Sequence, residues 1–194
     1  MKRLAVFCGS SNGASDIYIE EAKALGIELA KRRIGLVYGG ASVGVMGAVA
    51  DAALEAGGHV IGVMPSFLDE REISHKNLSK LIVVESMHER KAKMADLADG
   101  FIALPGGPGT LEEFFEIFTW AQLGLHKKPC GLLNINNYFN PLIKLFDHMT
   151  NEQFLQEKYR SMALVDTKST GLLDQFATYQ PPSVKTYIRN KSQT

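Results

Sequence analysis

Gly100-Phe101-Ile102-Ala103-Leu104-Pro105-Gly106-Gly107-Pro108-Gly109-Thr110-Leu111-Glu112-Glu113 joins a short apolar run to a loop of glycines and prolines, and the loop to an amphipathic stretch. Gly100 to Leu104 has strand length and no charged position, the pattern of a strand covered on both faces. Thr110 to Leu123 repeats its apolar residues at helical spacing. A doubly covered strand that passes directly into a helix is half of a βαβ unit and predicts a parallel sheet.

The same alternation extends in both directions. Upstream, strands are expected at Leu4 to Cys8, Ile34 to Tyr38, His59 to Met64 (closed by Pro65) and Leu81 to Glu85. Between them lie a loop over Gly9 to Ser15 and a helix from Asp16 to Arg33 with Ala22, Leu25 and Leu29 on one face. A glycine-rich turn, Gly39 to Gly47, leads into a small-residue helix through Ala56, and a further helix covers Met87 to Ala98. Downstream, strand Cys130 to Ile135, helices near Phe139 to Met149 and Glu152 to Arg160, strand Ala163 to Asp166 and a helix near Leu172 to Phe176 complete the series. Apolar strands alternating with helices predict an α/β fold, a doubly wound parallel sheet flanked by helices with right-handed crossovers. No linker and no internal repeat divides the chain, so residues 1–180 are expected as one domain and 181–194 as a polar tail.

The 194 residues carry 21 Lys plus Arg against 21 Asp plus Glu. That balance leaves no long-range field to attract a nucleic-acid backbone or an anionic membrane, so an anion has to be held locally. No apolar run approaches the roughly 20 residues that cross a bilayer, and the basic pair Lys2-Arg3 is not followed by a secretion signal. The two cysteines, Cys8 and Cys130, sit in apolar strand-like segments and suit reduced core thiols, consistent with a cytoplasmic protein. His59, His75, His88, His126 and His148 are scattered without metal-ligand spacing.

In such sheets ligands bind outside the carboxyl ends of the strands, and three segments there carry chemistry. Gly106, Gly107 and Gly109 allow close backbone approach to a ligand, and the helix behind them offers unpaired N–H groups, a cradle for phosphate. An ordinary tight turn, with Thr110 as N-cap and Glu113 closing a capping box, would explain part of the pattern. The turn containing Gly39, Gly40 and Gly44 reads equally as a ligand contact or as close packing of small residues, and it has neither the G-x-G-x-x-G nor the P-loop spacing. Gly9, Ser10 and Ser11 add donors to the same edge. Met87-His88-Glu89-Arg90-Lys91 puts two cations near a helix start, where they are disfavoured by roughly 0.3–1 kcal/mol; they are either a solvated basic face or a site for an anionic substrate.

Pro105 to Glu113 fits P-G-G-x-G-T-x-x-E throughout, and Arg90-Lys91 lies upstream in an M-x-x-R-K setting. Together they resemble the Lonely Guy (LOG) family of cytokinin-activating phosphoribohydrolases, whose members have often been labelled lysine decarboxylases. Val6-Phe7-Cys8-Gly9-Ser10-Ser11, Tyr38-Gly39-Gly40 and Thr119-Trp120-Ala121-Gln122-Leu123-Gly124 are similar to that family as well, so the likeness runs to about Asp166. It implies a Rossmann-like homodimer with each site near the subunit boundary, a nucleoside 5′-monophosphate substrate, and neither cofactor nor metal. It implies Arg90 and Glu113 as the catalytic pair, with Glu72, Lys91, Gly106, Gly107, Gly109, Thr110, Glu112 and Thr119 around the nucleotide.

Breaking a ribosyl C–N bond builds positive charge on the sugar, which a carboxylate stabilises. Glu113 suits that role, or that of activating water, and Arg90 suits fixing the substrate. Two rival readings stand beside this one, the first on the same scaffold. A non-catalytic nucleotide or molybdenum-cofactor carrier need not keep Arg90 and Glu113 together, and a pyridoxal-phosphate decarboxylase needs a Schiff-base lysine, for which Lys91 has no context. Met46, Met94 and Trp120 are as readily core as base-contacting residues.

Overall fold

Strand and helix alternate through the computed structural model, which describes residues 1–69 and 74–184. The order is β1 (Arg3–Phe7), α1 (Ile17–Lys31), β2 (Gly35–Tyr38), α2 (Gly44–Glu55), β3 (Val60–Pro65), α3 (Ser66–Asp69), β4 (Lys80–Val84) and α4 (Met87–Leu97). Then follow β5 (Phe101–Ala103), α5 (Pro108–Gln122), β6 (Cys130–Leu133), α6 (Asn140–Asn151), α7 (Glu157–Arg160), β7 (Ala163–Asp166) and α8 (Ser169–Thr178). The seven strands pair in parallel, in the order β4-β3-β2-β1-β5-β6-β7, which is the expected doubly wound α/β sheet. The chain winds outward from β1 to β4 and then returns to lay β5 beside β1. The crevice between the carboxyl ends of β1 and β5 is therefore the topological switch point, where such sheets bind ligands.

Successive residues of each strand face opposite layers. Ala5 and Phe7 join Val37, Val63, Phe101 and Phe114 under α4, α5 and α6. Leu4, Val6 and Cys8 join Leu36, Tyr38, Ile102 and Leu173 under α1, α2 and α8. Helices α1 and α2 meet backbone to backbone at Gly26, where a Cβ would lie 2.4 Å from the Val49 carbonyl oxygen. The edge strand β4 is the exception to double coverage, with Lys80 and Val83 exposed. An edge strand has a neighbour on one side alone, and fewer helices reach it.

Several boundaries differ from the sequence reading. Helix α5 starts at Pro108 with Gly107 as N-cap, so Thr110 is inside the first turn and the Thr110–Glu113 capping box does not form. Proline at the first helical position supplies the start signal instead. Helix α2 begins at Gly44, within the stretch read as a turn, and Pro65 belongs to β3. The segment read as a helix from Glu152 is irregular to Gln156, where Gln153 takes a left-handed φ of 64°, and α7 occupies Glu157–Arg160 alone. Of the stretch expected as a polar tail, residues 185–194 lie outside the described residues, as does Glu72.

Candidate active site

Arg90 and Lys91 are not a solvated basic face: they are 7% and 8% exposed. Ser86 caps α4, its hydroxyl accepting the Glu89 N–H at 3.1 Å, while the Glu89 carboxylate accepts the Glu85 N–H at 2.8 Å. The cap fixes the first turn of α4 against the sheet and points Arg90 inward. There the Arg90 Nη2 donates to Oε1 of Glu113, itself 5% exposed on the second turn of α5. Gly39, just after β2, lies against the guanidinium; a Cβ there would stand 3.4 Å from Nη2, an ordinary contact. The buried Nε of Arg90 has no acceptor among the described residues. Burial raises the Glu113 carboxyl above the usual carboxylate range, against the opposing charge and hydrogen bond of Arg90.

The pair faces a cleft of about 260 Å³ at the switch point. Cys8, Gly9 and Ser10 after β1 form one wall, Met46 of α2 and Met87 of α4 close the sides, and Gly107, Gly109, Thr110 and Glu112 supply the start of α5. A second hollow of about 280 Å³ shares Gly9, Ser10 and Gly107 and extends beneath the glycine loop to Tyr18 and Tyr138. Pro108 has no N–H and the Thr110 N–H donates to the Gly107 carbonyl at 3.1 Å, so the start of α5 presents the Gly109 N–H and the positive end of the helix dipole at the cleft.

The three loop glycines do different things. A Cβ on Gly106 would stand 2.2 Å from the Thr110 hydroxyl and 2.7 Å from the Gly9 nitrogen, so packing within the protein demands glycine there. Gly107 and Gly109 have no positive φ, and among the described residues nothing lies within 4 Å of where a Cβ would stand. Neither strain nor packing explains them. Both line the cleft, so their bare backbone borders its open space.

Of the residues the sequence singles out, the structure places Arg90, Glu113, Glu112, Gly107, Gly109, Thr110 and Ser10 on one cleft, with Gly106 in the adjoining hollow and Gly39 beside Arg90. Other candidates are elsewhere. Lys91 does not line the cleft; its Nζ is ion-paired with Glu112 at 2.6 Å and Glu116 at 3.2 Å. Burial works against its charge, but the two carboxylates outweigh it and raise the Lys91 pKa. An amine held protonated in this way is unsuited to forming a Schiff base, which weighs against the decarboxylase rival. Gly44 packs its Cα on the Ser10 backbone, and Val45 and Met46 donate to the Ser11 and Gly9 carbonyls, so the start of α2 is filled by protein rather than open to a phosphate. Gly40 has a φ of 83° and its carbonyl accepts the His75 N–H. Thr119 is exposed six residues beyond Glu113 on α5. Met46 lines the cleft, whereas Met94 and Trp120 are core.

Cys8, Met87 and Tyr138 were not singled out in the sequence as part of the site. The S-x-x-E spacing of Ser86 and Glu89 marks the start of α4 and identifies the turn that presents Met87 and Arg90. Tyr138 carries no local signal, because its partner, Gly106, is 32 residues away.

Residues 46–176 match the family model described as "Possible lysine decarboxylase". The chain is 49% identical over 180 residues to the cytokinin riboside 5′-monophosphate phosphoribohydrolase LOG7 of Arabidopsis thaliana, covering 93% of this chain and 83% of that protein. It is 50% identical over 165 residues to the cytokinin riboside 5′-monophosphate phosphoribohydrolase of Rhodococcoides fascians, covering 84% and 83% respectively. Among solved structures, the molybdenum cofactor binding protein of Rippkaea orientalis superposes with a TM-score of 0.70 over 91% of this chain and 96% of its own, at 23% identity, a likeness of fold. With the P-G-G-x-G-T-x-x-E loop, the buried arginine–glutamate pair and these relatives together, the chain belongs to the LOG family of phosphoribohydrolases.

Proposed function

We propose that this protein hydrolyses the N-glycosidic bond of adenosine 5′-monophosphates, including N6-modified ones, and releases the free base and ribose 5-phosphate. The observation that carries the reading is the buried Arg90–Glu113 pair facing the open backbone of Gly107 and Gly109 across one cleft. The start of α5 takes the 5′-phosphate, and binding energy from that remote group holds the ribose C1′ at the carboxylate. As the C1′–N bond lengthens, its electron pair leaves with the base and positive charge grows on the sugar, next to Glu113. Glu113 stabilises that charge and takes a proton from the water that attacks C1′. Arg90 orients the carboxylate through Nη2 and keeps Nε for the substrate. The proton taken by Glu113 is available to the departing base or to solvent.

The apolar side of the cleft at Met46 and Met87 suits a base with an apolar N6 substituent. We place the protein in the cytoplasm, since its two free cysteines are both buried thiols. We further propose a homodimer in which Thr119 and Lys91 serve the boundary rather than the interior of the cleft. Among the described residues no helix is long and apolar enough to cross a membrane.

The test is incubation of the purified protein with AMP and, separately, N6-isopentenyl-AMP, with the products separated by chromatography. Free base and ribose 5-phosphate are expected from wild type. In Glu113→Gln, kcat is expected to fall by at least about 100-fold with nucleotide binding retained. Bound but uncleaved nucleotide in wild type would instead make the protein a carrier.

A further inference from the structure

The Gly106–Gly107 peptide lies between two glycines, the pair of residues that least restrains a peptide plane from rotating. Yet its orientation decides whether the cleft meets a donor or an acceptor, because in a trans peptide the C=O and N–H point in opposite directions. Among the described residues one side chain bonds to this peptide. The hydroxyl of Tyr138 donates to the Gly106 carbonyl oxygen at 2.6 Å.

Tyr138 is held in place by unusual backbone. Asn136 and Asn137 before it both take left-handed φ values, 49° and 60°, and consecutive residues of this kind persist only where the surroundings over-determine them. Here they do. Buried Asn134 donates its N–H to the Asp166 carbonyl, accepts the Phe139 N–H on Oδ1 at 2.7 Å and donates from Nδ2 to Asn140 at 2.8 Å. The Tyr138 ring then meets Tyr18 edge to face, with centroids 6.0 Å apart.

We propose that Tyr138 is a positioning residue for anion binding. By drawing the Gly106 carbonyl to its own side of the loop, it turns the Gly107 N–H to the opposite side, toward the cleft of Arg90 and Glu113. A carbonyl turned the other way would repel the phosphate. The inference rests on the reading that this loop holds a 5′-phosphate.

The test uses the full chain as wild type, Tyr138→Phe and Tyr138→Ala. Phenylalanine keeps the ring on Tyr18 and removes the hydroxyl alone. Ribose 5-phosphate affinity is read by calorimetry, kcat and KM with AMP, and Tm by calorimetric melting. In Tyr138→Phe, ribose 5-phosphate is expected to bind about fivefold more weakly. KM should rise in proportion, kcat should change by less than about twofold, and Tm should hold. Wild-type affinity in Tyr138→Phe, no binding by wild type, or weakened binding that tracks a fall in Tm would each overturn the proposal. Weakened binding in Tyr138→Phe without nucleotide cleavage by wild type would leave Tyr138 as the positioning residue and remove the hydrolase reading.

Discussion

At the residue scale, Gly106 and Gly109 separate packing from binding. Gly106→Ala drives a methyl into Thr110 and Gly9, and is expected to cost about 1–3 kcal/mol in denaturant unfolding. Gly109→Ala meets open space in a first helical turn, so stability should hold or rise by up to about 1 kcal/mol. Its methyl would stand where the phosphate presses, and KM for AMP should rise by at least about tenfold, a penalty of about 1.4 kcal/mol. An unchanged KM in Gly109→Ala would remove the phosphate from this loop. Glu113 makes a separate prediction through pH. Its folded pKa is raised by burial, so the folded state holds the proton more tightly than the unfolded chain does. The stabilisation this gives is full below the unfolded value of about 4.3 and is lost as pH rises through the raised folded pKa. Wild-type stability measured against Glu113→Gln should therefore decline across that window and then level off. The acid limb of kcat should lie above the ordinary carboxylate range, and a limb at about 4.3 would deny Glu113 the role of base.

At the element scale, α4 carries Arg90 and α5 carries Glu113, so the cap of α4 matters to the chemistry. Ser86→Ala removes the acceptor of the Glu89 N–H and should cost about 1 kcal/mol in denaturant unfolding. It should also lower kcat/KM, and Ser86→Asp should restore both; unfolding identical to wild type would show the cap to be idle. The elements themselves were legible from sequence, because a strand with no polar face and a helix with a polar one are written in periods of 2 and 3.6. Beginnings were less so. At α5 two start signals compete, Pro108 at the first position and Thr110 with Glu113 as a box, and the fold uses the proline because Glu113 is committed to Arg90. The burial of Arg90 and Lys91 was hidden for a related reason. Local charge reads as exposed, and the carboxylates that reverse this stand 21 to 25 positions later, on α5. The place of the glycine loop at the cleft, by contrast, was legible, since three glycines follow a buried strand at the carboxyl edge of the sheet.

At the scale of the whole molecule, the switch point between β1 and β5 joins two halves of the sheet that the chain builds separately. The cleft takes Ser10 and Met46 from the first half, Arg90 from the crossover and the start of α5 from the second. The molybdenum cofactor binding protein of Rippkaea orientalis shares the architecture, so the fold does not choose between holding a ligand and cleaving it; in the reaction we propose, Glu113 against Arg90 does. A ligand bridging both halves binds the native state and has no site in the unfolded chain, so it stabilises the fold by mass action. At 100 times its dissociation constant, ribose 5-phosphate should add about 2.7 kcal/mol. For a chain of this size each kcal/mol moves Tm by about 2–4 °C, which gives an expected rise of about 5–11 °C in a thermal melt. Gly109→Ala, folded but unable to seat the phosphate, should lose most of that rise at the same concentration. Glu113→Gln should keep it, because the carboxylate acts on C1′ and not on the phosphate. A rise in both variants would move the anion away from α5, and no rise in wild type would leave the cleft without its proposed product.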